Sequence, residues 1–206
     1  MSKFWLVMAW MSWCALHSAL ISSAVTEPLR KKFPGGFRFY RMLYNLFAVI
    51  TLFPVLLYTL SQSGDAIVAW DGPWRIVPIL LGSLSLILFI AGARRYDLFR
   101  FIGLRQIKDE KACSVLTEDC SLDTEGVLSI VRHPWYSAGI LAVWARPLDV
   151  AAILTNLVVS GYFVVGAILE ERKLKLQFGR QYTDYQQHVS MLFPIKWAER
   201  RFLRKN

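Results

Sequence analysis

The chain has 206 residues, of which 55% are hydrophobic and 19% are charged, and its net charge at pH 7 is +9. Soluble domains contain roughly 45–50% apolar and about 25% charged residues, so both departures indicate a membrane protein. The composition therefore excludes a soluble globular domain, a disordered chain and a disulfide scaffold.

Long stretches without Asp, Glu, Lys or Arg predict an all-α integral membrane bundle of five transmembrane helices, forming a single domain over residues 1–206. A helix needs about 20 mostly apolar residues to cross about 30 Å of hydrocarbon. The fourth stretch is too short to cross alone, so we expect the last two helices to form a lopsided hairpin. The predicted helices cover residues 4–26, 42–64, 76–93, 134–146 and 150–171.

The basic residues gather in the polar segment after the first helix, in the loop 94–132 and in the C-terminal segment 172–206. Cytoplasmic loops of membrane proteins collect Lys and Arg. We therefore expect five crossings with the N-terminus outside and the loop and C-terminus in the cytoplasm. Topology and attraction to anionic lipid explain the net charge without nucleic acid binding.

The first two predicted helices contain polar residues that are candidates for lining a cavity. Ionisable groups at membrane depth are costly and usually face the bundle interior or a wet cavity, so His17 is either a hydrogen-bonded packing residue or a cavity-lining one. Asn45 either bridges two helices or contacts a substrate. The spacing of Cys14, Cys113 and Cys120 matches no common metal site, so we expect free thiols and no bound metal.

A His-Pro step precedes the fourth predicted helix. Pro134 disfavours helical backbone at His133 and suits the first position of a new helix. Free backbone amides and the positive end of the helix dipole would lie there beside Arg132 and His133. This combination predicts a place for an anionic group.

Two adjacent carboxylates, Glu170 and Glu171, end the fifth predicted helix. The helix rises about 30 Å from Val150 to Glu170, which returns the carboxylates to the membrane face of His133. Adjacent helical residues point about 100° apart, so we expect only one carboxylate to face His133. The pair is either an interfacial anchor or, with the cationic residues, one half of a site for a zwitterionic ligand.

Tyr182 and Tyr185 lie one helical turn apart, after a break at Gly179. Aromatic residues at a membrane surface commonly form an interfacial belt. The alternative is that the two rings close over a bound heterocycle.

Three motifs resemble the signature of the isoprenylcysteine carboxyl methyltransferases and their bacterial relatives, within residues 124–194. These motifs are His133-Pro134-x-Tyr136, Glu170-Glu171 and Phe178-Gly179-x-x-Tyr182-x-x-Tyr185. Within that superfamily, residues 99–106, 144–147 and 191–194 are more similar to the NnrU-type and methanethiol S-methyltransferase-like branch.

The resemblance implies an S-adenosylmethionine-dependent methyltransferase that acts on a small thiol or lipophilic acceptor at the inner leaflet, and we expect it in the bacterial inner membrane. It implies that His133, Pro134, Trp135, Tyr136 and Glu170 contact the cofactor. Our hypothesis for the roles is that Arg132 and His133 face the cofactor carboxylate, Glu170 binds its amino group or ribose hydroxyls, and Tyr136 packs on the adenine or the sulfonium. His17, Asn45 and Glu171 are the candidates for substrate binding. The residues expected at the cofactor are Arg132, His133, Pro134, Trp135, Tyr136, Glu170, Tyr182 and Tyr185.

Two positions depart from the pattern of the carboxyl methyltransferases that this chain resembles. Leu128 stands where that pattern has a tyrosine, and Gly166 stands where it has an arginine that would hold a prenylcysteine carboxylate. The missing arginine argues against a carboxylate acceptor and leaves the cofactor site largely intact. A thiol, a prenylated cysteine, a phospholipid amine and a quinone-like lipid stay open as acceptors.

Two other classes of protein fit part of the pattern. A membrane reductase would place the pyrophosphate of NADPH at the same helix start, with Arg100 and Arg105 as further phosphate ligands. A transport or assembly protein would have no catalytic site. Titration with both cofactors distinguishes these alternatives.

Overall fold

The structure is a computed structural model that describes residues 1–108 and 121–202, without the side chains of Lys108 and Phe202. Within these residues the chain is all-helical, with short 3-10 turns, two isolated β-bridges and no β-strand. The helices are α1 (Ser2–Ile21), α2 (Ser23–Lys32), α3 (Tyr40–Ser61), α4 (Ile76–Ala93), α5 (Leu98–Ile102), α6 (Arg105–Lys108), α7 (Pro134–Trp144), α8 (Val150–Phe178), α9 (Arg180–His188) and α10 (Ile195–Phe202).

Four helical segments of the described chain are long and apolar enough to cross a membrane: Ser2–Ile21, Phe37–Ser61, Gly72–Ala93 and Val150–Phe178. They confirm the expectation of an all-α integral membrane protein. Helix α7 has 11 residues, which extend over about 16 Å of helix and are too few to cross alone. The fifth crossing therefore stays a prediction.

The first helix ends earlier than the uncharged stretch that predicted it. The backbone of Ser22 is extended, and its hydroxyl donates a hydrogen bond to the carbonyl of Ala19 at 2.7 Å. Helix α2 follows directly and carries Glu27, Arg30, Lys31 and Lys32, whereas Lys3 is the one charged residue of α1. Cys14 is buried in α1 as a free thiol, whereas Cys113 and Cys120 lie outside the described residues.

The described chain divides into two compact units. The first unit contains residues 1–69, 98–108 and 147–158, and the second contains residues 70–97, 121–146 and 159–202. The single domain expected from the sequence stays a prediction.

In the first unit, α1 packs along α3 through indole hydrogen bonds. The indole N–H of Trp10 donates to the hydroxyl of Thr59 at 2.9 Å, and that of Trp13 donates to the hydroxyl of Thr51 at 3.2 Å. These bonds satisfy the polar atoms of apolar rings at membrane depth.

The start of α8 also belongs to the first unit. Asp149 is its N-cap, because one carboxylate oxygen accepts a hydrogen bond from the amide of Ala152 at 2.6 Å. The other oxygen accepts from the amide of Gly64 at 2.8 Å. One buried carboxylate thus fixes both the helix start and the end of the segment after α3.

In the second unit, α7 lies close against α4. Gly92 permits this approach, because a Cβ atom there would lie 2.7 Å from the Trp135 ring. The indole of Trp135 donates to the carbonyl of Phe89 at 3.0 Å, and the hydroxyl of Ser85 donates to the carbonyl of Ala138 at 2.8 Å.

Helix α7 also packs against the later part of α8. The indole of Trp144 donates to the hydroxyl of Ser160 at 3.0 Å, and Gly139 lies so close to Phe163 that a Cβ would come within 2.6 Å of its ring. The last residues of α7 therefore meet the earlier residues of this part of α8. This antiparallel arrangement brings the start of α7 beside the acidic pair of α8.

The segment after α9 runs alongside the residues that precede α7. The amide of Arg132 donates to the carbonyl of Ser190 at 2.9 Å, and the amide of His133 donates to that of Met191 at 3.1 Å. These backbone bonds attach Arg132 and His133 to the segment after α9.

Candidate active site

The second unit contains a pocket with about 440 Å³ of empty space, part of it open to solvent. Ligand pockets are commonly about 300–1,000 Å³. Five of the residues predicted at the cofactor line it, and the rest of the lining was not predicted. The lining residues are Tyr96, Leu122, Asp123, Leu128, Arg132, His133, Glu170, Leu174, Tyr182 and Tyr185.

His133 lies buried between the two carboxylates of α8. It is the residue before α7, where Pro134 holds it out of the helical conformation as the sequence predicted. Its Nδ1 lies 3.8 Å from Oε2 of Glu170, and its Nε2 lies 3.4 Å from Oε1 of Glu171. The expectation that only one carboxylate faces His133 was wrong, because the imidazole lies between the two flexible side chains and presents one nitrogen to each.

Arg132 forms a nearly buried ion pair with Glu171. Its Nε and Nη2 lie 2.7 and 2.5 Å from the same carboxylate oxygen, and the two side chains are 8% and 12% exposed. The second oxygen of Glu171 accepts a hydrogen bond from the side-chain amide of Gln186 at 2.7 Å, and Arg132 also donates to the backbone carbonyl of Val189. The charges of Arg132 and Glu171 thus compensate each other inside the protein. The bond from Gln186 to Glu171 also connects α9 to α8.

Tyr182 and Tyr185 form one wall of the pocket, with ring centroids 5.8 Å apart. The hydroxyl of Tyr185 donates to the carbonyl of Leu128. Tyr182 is 1% exposed, and its hydroxyl has no hydrogen-bond partner among the described residues. Burial raises the pKa of both phenols above the ordinary value, so both stay neutral donors at physiological pH.

Sequence reasoning missed Tyr96 and Asp123, which come from segments distant in the chain. Burial, and then the charge of Glu170, raise the pKa of Tyr96 well above its ordinary value. Burial disfavours the charged form of Asp123, but hydrogen bonds from Arg95 and from the amide of Glu125 outweigh it, so the pKa of Asp123 is lowered. No local motif marks either residue, since each reaches the pocket through tertiary packing.

Pro134, Trp135 and Tyr136 do not line the pocket. Pro134 is buried, and Trp135 faces α4, where its ring stacks on Phe89 with centroids 5.5 Å apart. Tyr136 stacks on His133 at the same centroid distance. A direct contact of these three residues with a cofactor stays a prediction. The observed contacts pack Trp135 against α4 and Tyr136 against the pocket residue His133.

His17 and Asn45 belong to the first unit, where they line a second, mostly apolar pocket with about 1040 Å³ of empty space. The hydroxyl of Tyr44 lies 2.6 Å from Nε2 of His17. The side-chain amide of Asn45 donates to the backbone carbonyls of Phe101 and Ile102, each at 3.0 Å. Asn45 therefore bridges α3 and α5, which is one of the two roles that the sequence predicted for it. A substrate contact of His17 or Asn45 stays a prediction.

Comparison with known proteins finds relatives named as methyltransferases. The chain is 35% identical to the methanethiol S-methyltransferase of Pseudomonas deceptionensis over 97 residues, which cover 47% of this chain and 37% of that protein. It is 30% identical to the methanethiol S-methyltransferase of Mycobacterium tuberculosis over 148 residues, which cover 71% and 56%. It is 35% identical to protein-S-isoprenylcysteine O-methyltransferase B of Arabidopsis thaliana over 132 residues, which cover 61% and 60%.

The chain is a relative of these methyltransferases. The finding confirms the resemblance that the three motifs indicated. The matched region spans between about a third and three fifths of the length of the curated relatives. No family model and no solved structure matches the chain.

Proposed function

We propose that the protein is an S-adenosylmethionine-dependent methyltransferase of the membrane that acts on a small thiol or lipophilic acceptor at the inner leaflet. The observation that carries the proposal is the convergence of His133, Glu170 and Tyr182 on one pocket of the second unit. The names of the relatives support the reaction, since all the matched proteins cited above are methyltransferases.

The pocket residues fit a ligand that has a positive charge and several polar atoms. Arg132 compensates Glu171, and Arg95 compensates Asp123, with which it forms hydrogen bonds of 2.6 and 2.7 Å. Nδ1 of His133 lies 3.8 Å from Oε2 of Glu170, beyond hydrogen-bond distance. Glu170 also accepts a hydrogen bond from the Tyr136 hydroxyl. Because a carboxylate has about four acceptor sites, Glu170 can bind a cationic group beside that bond.

Tyr182 supplies the second argument for the fit. An unsatisfied buried hydroxyl costs about 1–3 kcal/mol, and a ligand acceptor atom at this wall would remove that cost. We propose that Tyr182 donates a hydrogen bond to the cofactor, while Tyr185, held by Leu128, supports the same wall.

S-adenosylmethionine supplies an electrophilic methyl group on a sulfonium when it is bound. The protein contributes by aligning the reactants and excluding water from them. Alignment alone can lower the activation free energy by as much as about 7 to 11 kcal/mol. Glu170 holds negative charge at the pocket, and the rings of Tyr96, Tyr182 and Tyr185 exclude water. The proton of a thiol acceptor would pass to Glu171 or to water, and the ion pair with Arg132 lowers the basicity of Glu171.

A small thiol is the acceptor that the observations favour. Relatives are named methanethiol S-methyltransferases, and Gly166 faces Tyr136 without a cationic side chain that would hold a carboxylate acceptor. The pocket lining includes neither Arg100 nor Arg105, on which an NADPH site would depend.

We propose the membrane arrangement that the basic residues indicate, with the N-terminus outside and the pocket at the cytoplasmic face. Helix α7 then enters the membrane as the short arm of a hairpin with α8, against which it packs antiparallel. The basic end of α2, formed by Arg30, Lys31 and Lys32, supports the inner position of the segment after α1.

Calorimetric titration with S-adenosylmethionine and NADPH tests the cofactor. The wild-type protein in nanodiscs should bind S-adenosylmethionine alone, and His133→Ala and Glu170→Ala should each weaken binding by about tenfold or more, since hydrogen bonds to charged groups contribute roughly 1.5–3 kcal/mol. Undiminished affinity in both variants would refute the site, and absence of binding by the wild type would refute the function.

Incubation with methyl-labelled S-adenosylmethionine and a panel of acceptors tests the reaction. The panel contains alkyl thiols, a prenylated cysteine, phosphatidylethanolamine and a quinol, and mass analysis identifies the labelled product. We expect label on the thiols. If only another acceptor carried the label, the thiol assignment would be wrong, but the proposed methyltransferase activity would stand.

A further inference from the structure

One wall of the pocket comes from a segment that has no regular secondary structure. Leu122 and Asp123 line the pocket within the segment 121–125, which precedes a 3-10 turn. Asp123 also accepts a hydrogen bond from the amide of Glu125 at 2.9 Å, which forms a local turn. The position of this wall therefore depends strongly on side-chain contacts to the rest of the unit.

Arg95, which follows α4, supplies such a contact. Its Nε and Nη2 donate to the two carboxylate oxygens of Asp123 at 2.7 and 2.6 Å, and Nη2 also lies 3.1 Å from Glu125. The planar guanidinium matches a carboxylate with two parallel bonds, which fixes orientation as well as distance. This pairing holds the irregular segment in a defined place.

Backbone hydrogen bonds attach Arg95 and Tyr96 to the end of α4. The amides of Arg95 and Tyr96 both donate to the carbonyl of Gly92 at 2.9 Å, so the two residues continue from the end of α4. Gly92 is also the point of close approach between α4 and Trp135. Tyr96 lines the pocket directly, and its neighbour Arg95 binds the segment 121–125.

We propose that Arg95 is a positioning residue of the cofactor pocket, which clasps the segment 121–125 so that Leu122 and Asp123 form one wall. The proposal rests on the proposed function for the identity of the ligand. Arg95 does not line the pocket itself, so it acts through Asp123.

The exposure of the pair gives this clasp a characteristic salt dependence. The side chains of Arg95 and Asp123 are 31% and 17% exposed, so mobile ions reach the pair and screen it in part. Raising the salt concentration should weaken cofactor binding by the wild type more than binding by a variant without the pair.

The test measures the Kd of S-adenosylmethionine for the full chain in nanodiscs. Arg95→Ala and Asp123→Ala should each raise the Kd about tenfold, and the double variant should match the single variants instead of multiplying their effects. Arg95→Lys should restore only part of the affinity, because an ammonium group does not form the two parallel bonds. Arg94→Ala is the matched control, since it removes the same charge from an exposed neighbour and should change the Kd less than twofold.

Hydrogen exchange tests the clasp without the cofactor. Arg95→Ala should speed exchange of the amides of Glu125 and Leu128 at least tenfold, while the thermal midpoint of the whole chain stays near that of Arg94→Ala. Unchanged exchange in Arg95→Ala would overturn the clasp whether or not the wild type binds the cofactor. Independent, multiplying effects of Arg95→Ala and Asp123→Ala on the Kd would overturn the action through Asp123.

Failure of this inference and failure of the proposed function are distinguishable. A wild-type protein that does not bind S-adenosylmethionine, with faster exchange in Arg95→Ala, refutes the ligand and retains the clasp as a support of the pocket wall. A wild-type protein that binds, with the same Kd in Arg95→Ala, refutes the positioning role and retains the function.

Discussion

Two histidines in this protein have different surroundings. His17 lies among aromatic rings in the first unit, where the Tyr44 hydroxyl and the Trp13 ring contact it and the nearby pocket is mostly apolar. His133 lies between two carboxylates in the second unit, beside a buried hydroxyl without a described partner. A polar residue at membrane depth is thus not by itself a site. The stronger indication of a site is several charges that meet where hydrogen-bonding capacity is left over.

The largest effect that we expect from this contrast is on stability around His133. Glu171→Ala would leave Arg132, whose side chain is 8% exposed, without its carboxylate. Removal of one partner from a buried ion pair costs about 3–5 kcal/mol, because the remaining charge stays desolvated. We expect the free energy of unfolding in detergent to fall by about 3 kcal/mol, measured by denaturant titration.

Glu199→Ala is the control for this experiment, because it removes the same group from an exposed position. It should change the free energy of unfolding by no more than about 0.5 kcal/mol. Equal, small losses in the two variants would contradict a structural role for the Arg132 and Glu171 pair.

A smaller effect distinguishes the two tyrosines of the pocket wall. Tyr182→Phe removes a buried hydroxyl without a described partner, so the stability of the free protein should stay constant or rise by up to about 1 kcal/mol. The Kd of S-adenosylmethionine should rise about threefold to tenfold, equivalent to roughly 0.7 to 1.4 kcal/mol.

Tyr185→Phe is the matched variant, because its hydroxyl has a partner in the carbonyl of Leu128. It should lower the free energy of unfolding by about 1 kcal/mol. Loss of stability in Tyr182→Phe with no change in the Kd would show that its hydroxyl serves the fold and not the ligand.

Local rules in the sequence predicted the parts of this site that depend on local geometry. The start of α7 at Pro134 follows from the fixed backbone angle of proline, and the return of Glu170 to the level of His133 follows from the helical rise. The rule that adjacent carboxylates diverge failed, because it describes the Cβ directions and ignores the reach of a glutamate side chain. A carboxylate oxygen of Glu170 therefore lies 3.8 Å from one ring nitrogen of His133, and one of Glu171 lies 3.4 Å from the other.

The opposite wall was beyond sequence reasoning for a different reason. Arg95 and Asp123 are an ordinary basic and an ordinary acidic residue in a loop that contains many of both. Only the tertiary structure shows that they form a pair and that Asp123 faces the pocket. The break of α1 at Ser22 was missed because hydropathy does not register a change of backbone conformation.

The smallest expected effect concerns His17. His17→Phe keeps an aromatic ring beside Trp13 and removes the ring nitrogen from the Tyr44 hydroxyl, which still lies 3.3 Å from the backbone carbonyl of residue 17. The free energy of unfolding should therefore fall by about 1 kcal/mol or less. The Kd of S-adenosylmethionine should change less than twofold, because the residues that line its proposed pocket all belong to the second unit.

The same variant tests the sequence-based prediction that His17 contacts the acceptor. An increase of the acceptor KM in His17→Phe at an unchanged cofactor Kd would assign the first-unit pocket to the acceptor, since loss of a contact to one ligand leaves the intrinsic affinity of the other intact. A tenfold loss of cofactor affinity would instead break the contrast between the two histidines. The cofactor site would then depend on an aromatic cluster whose own polar atoms are already hydrogen-bonded.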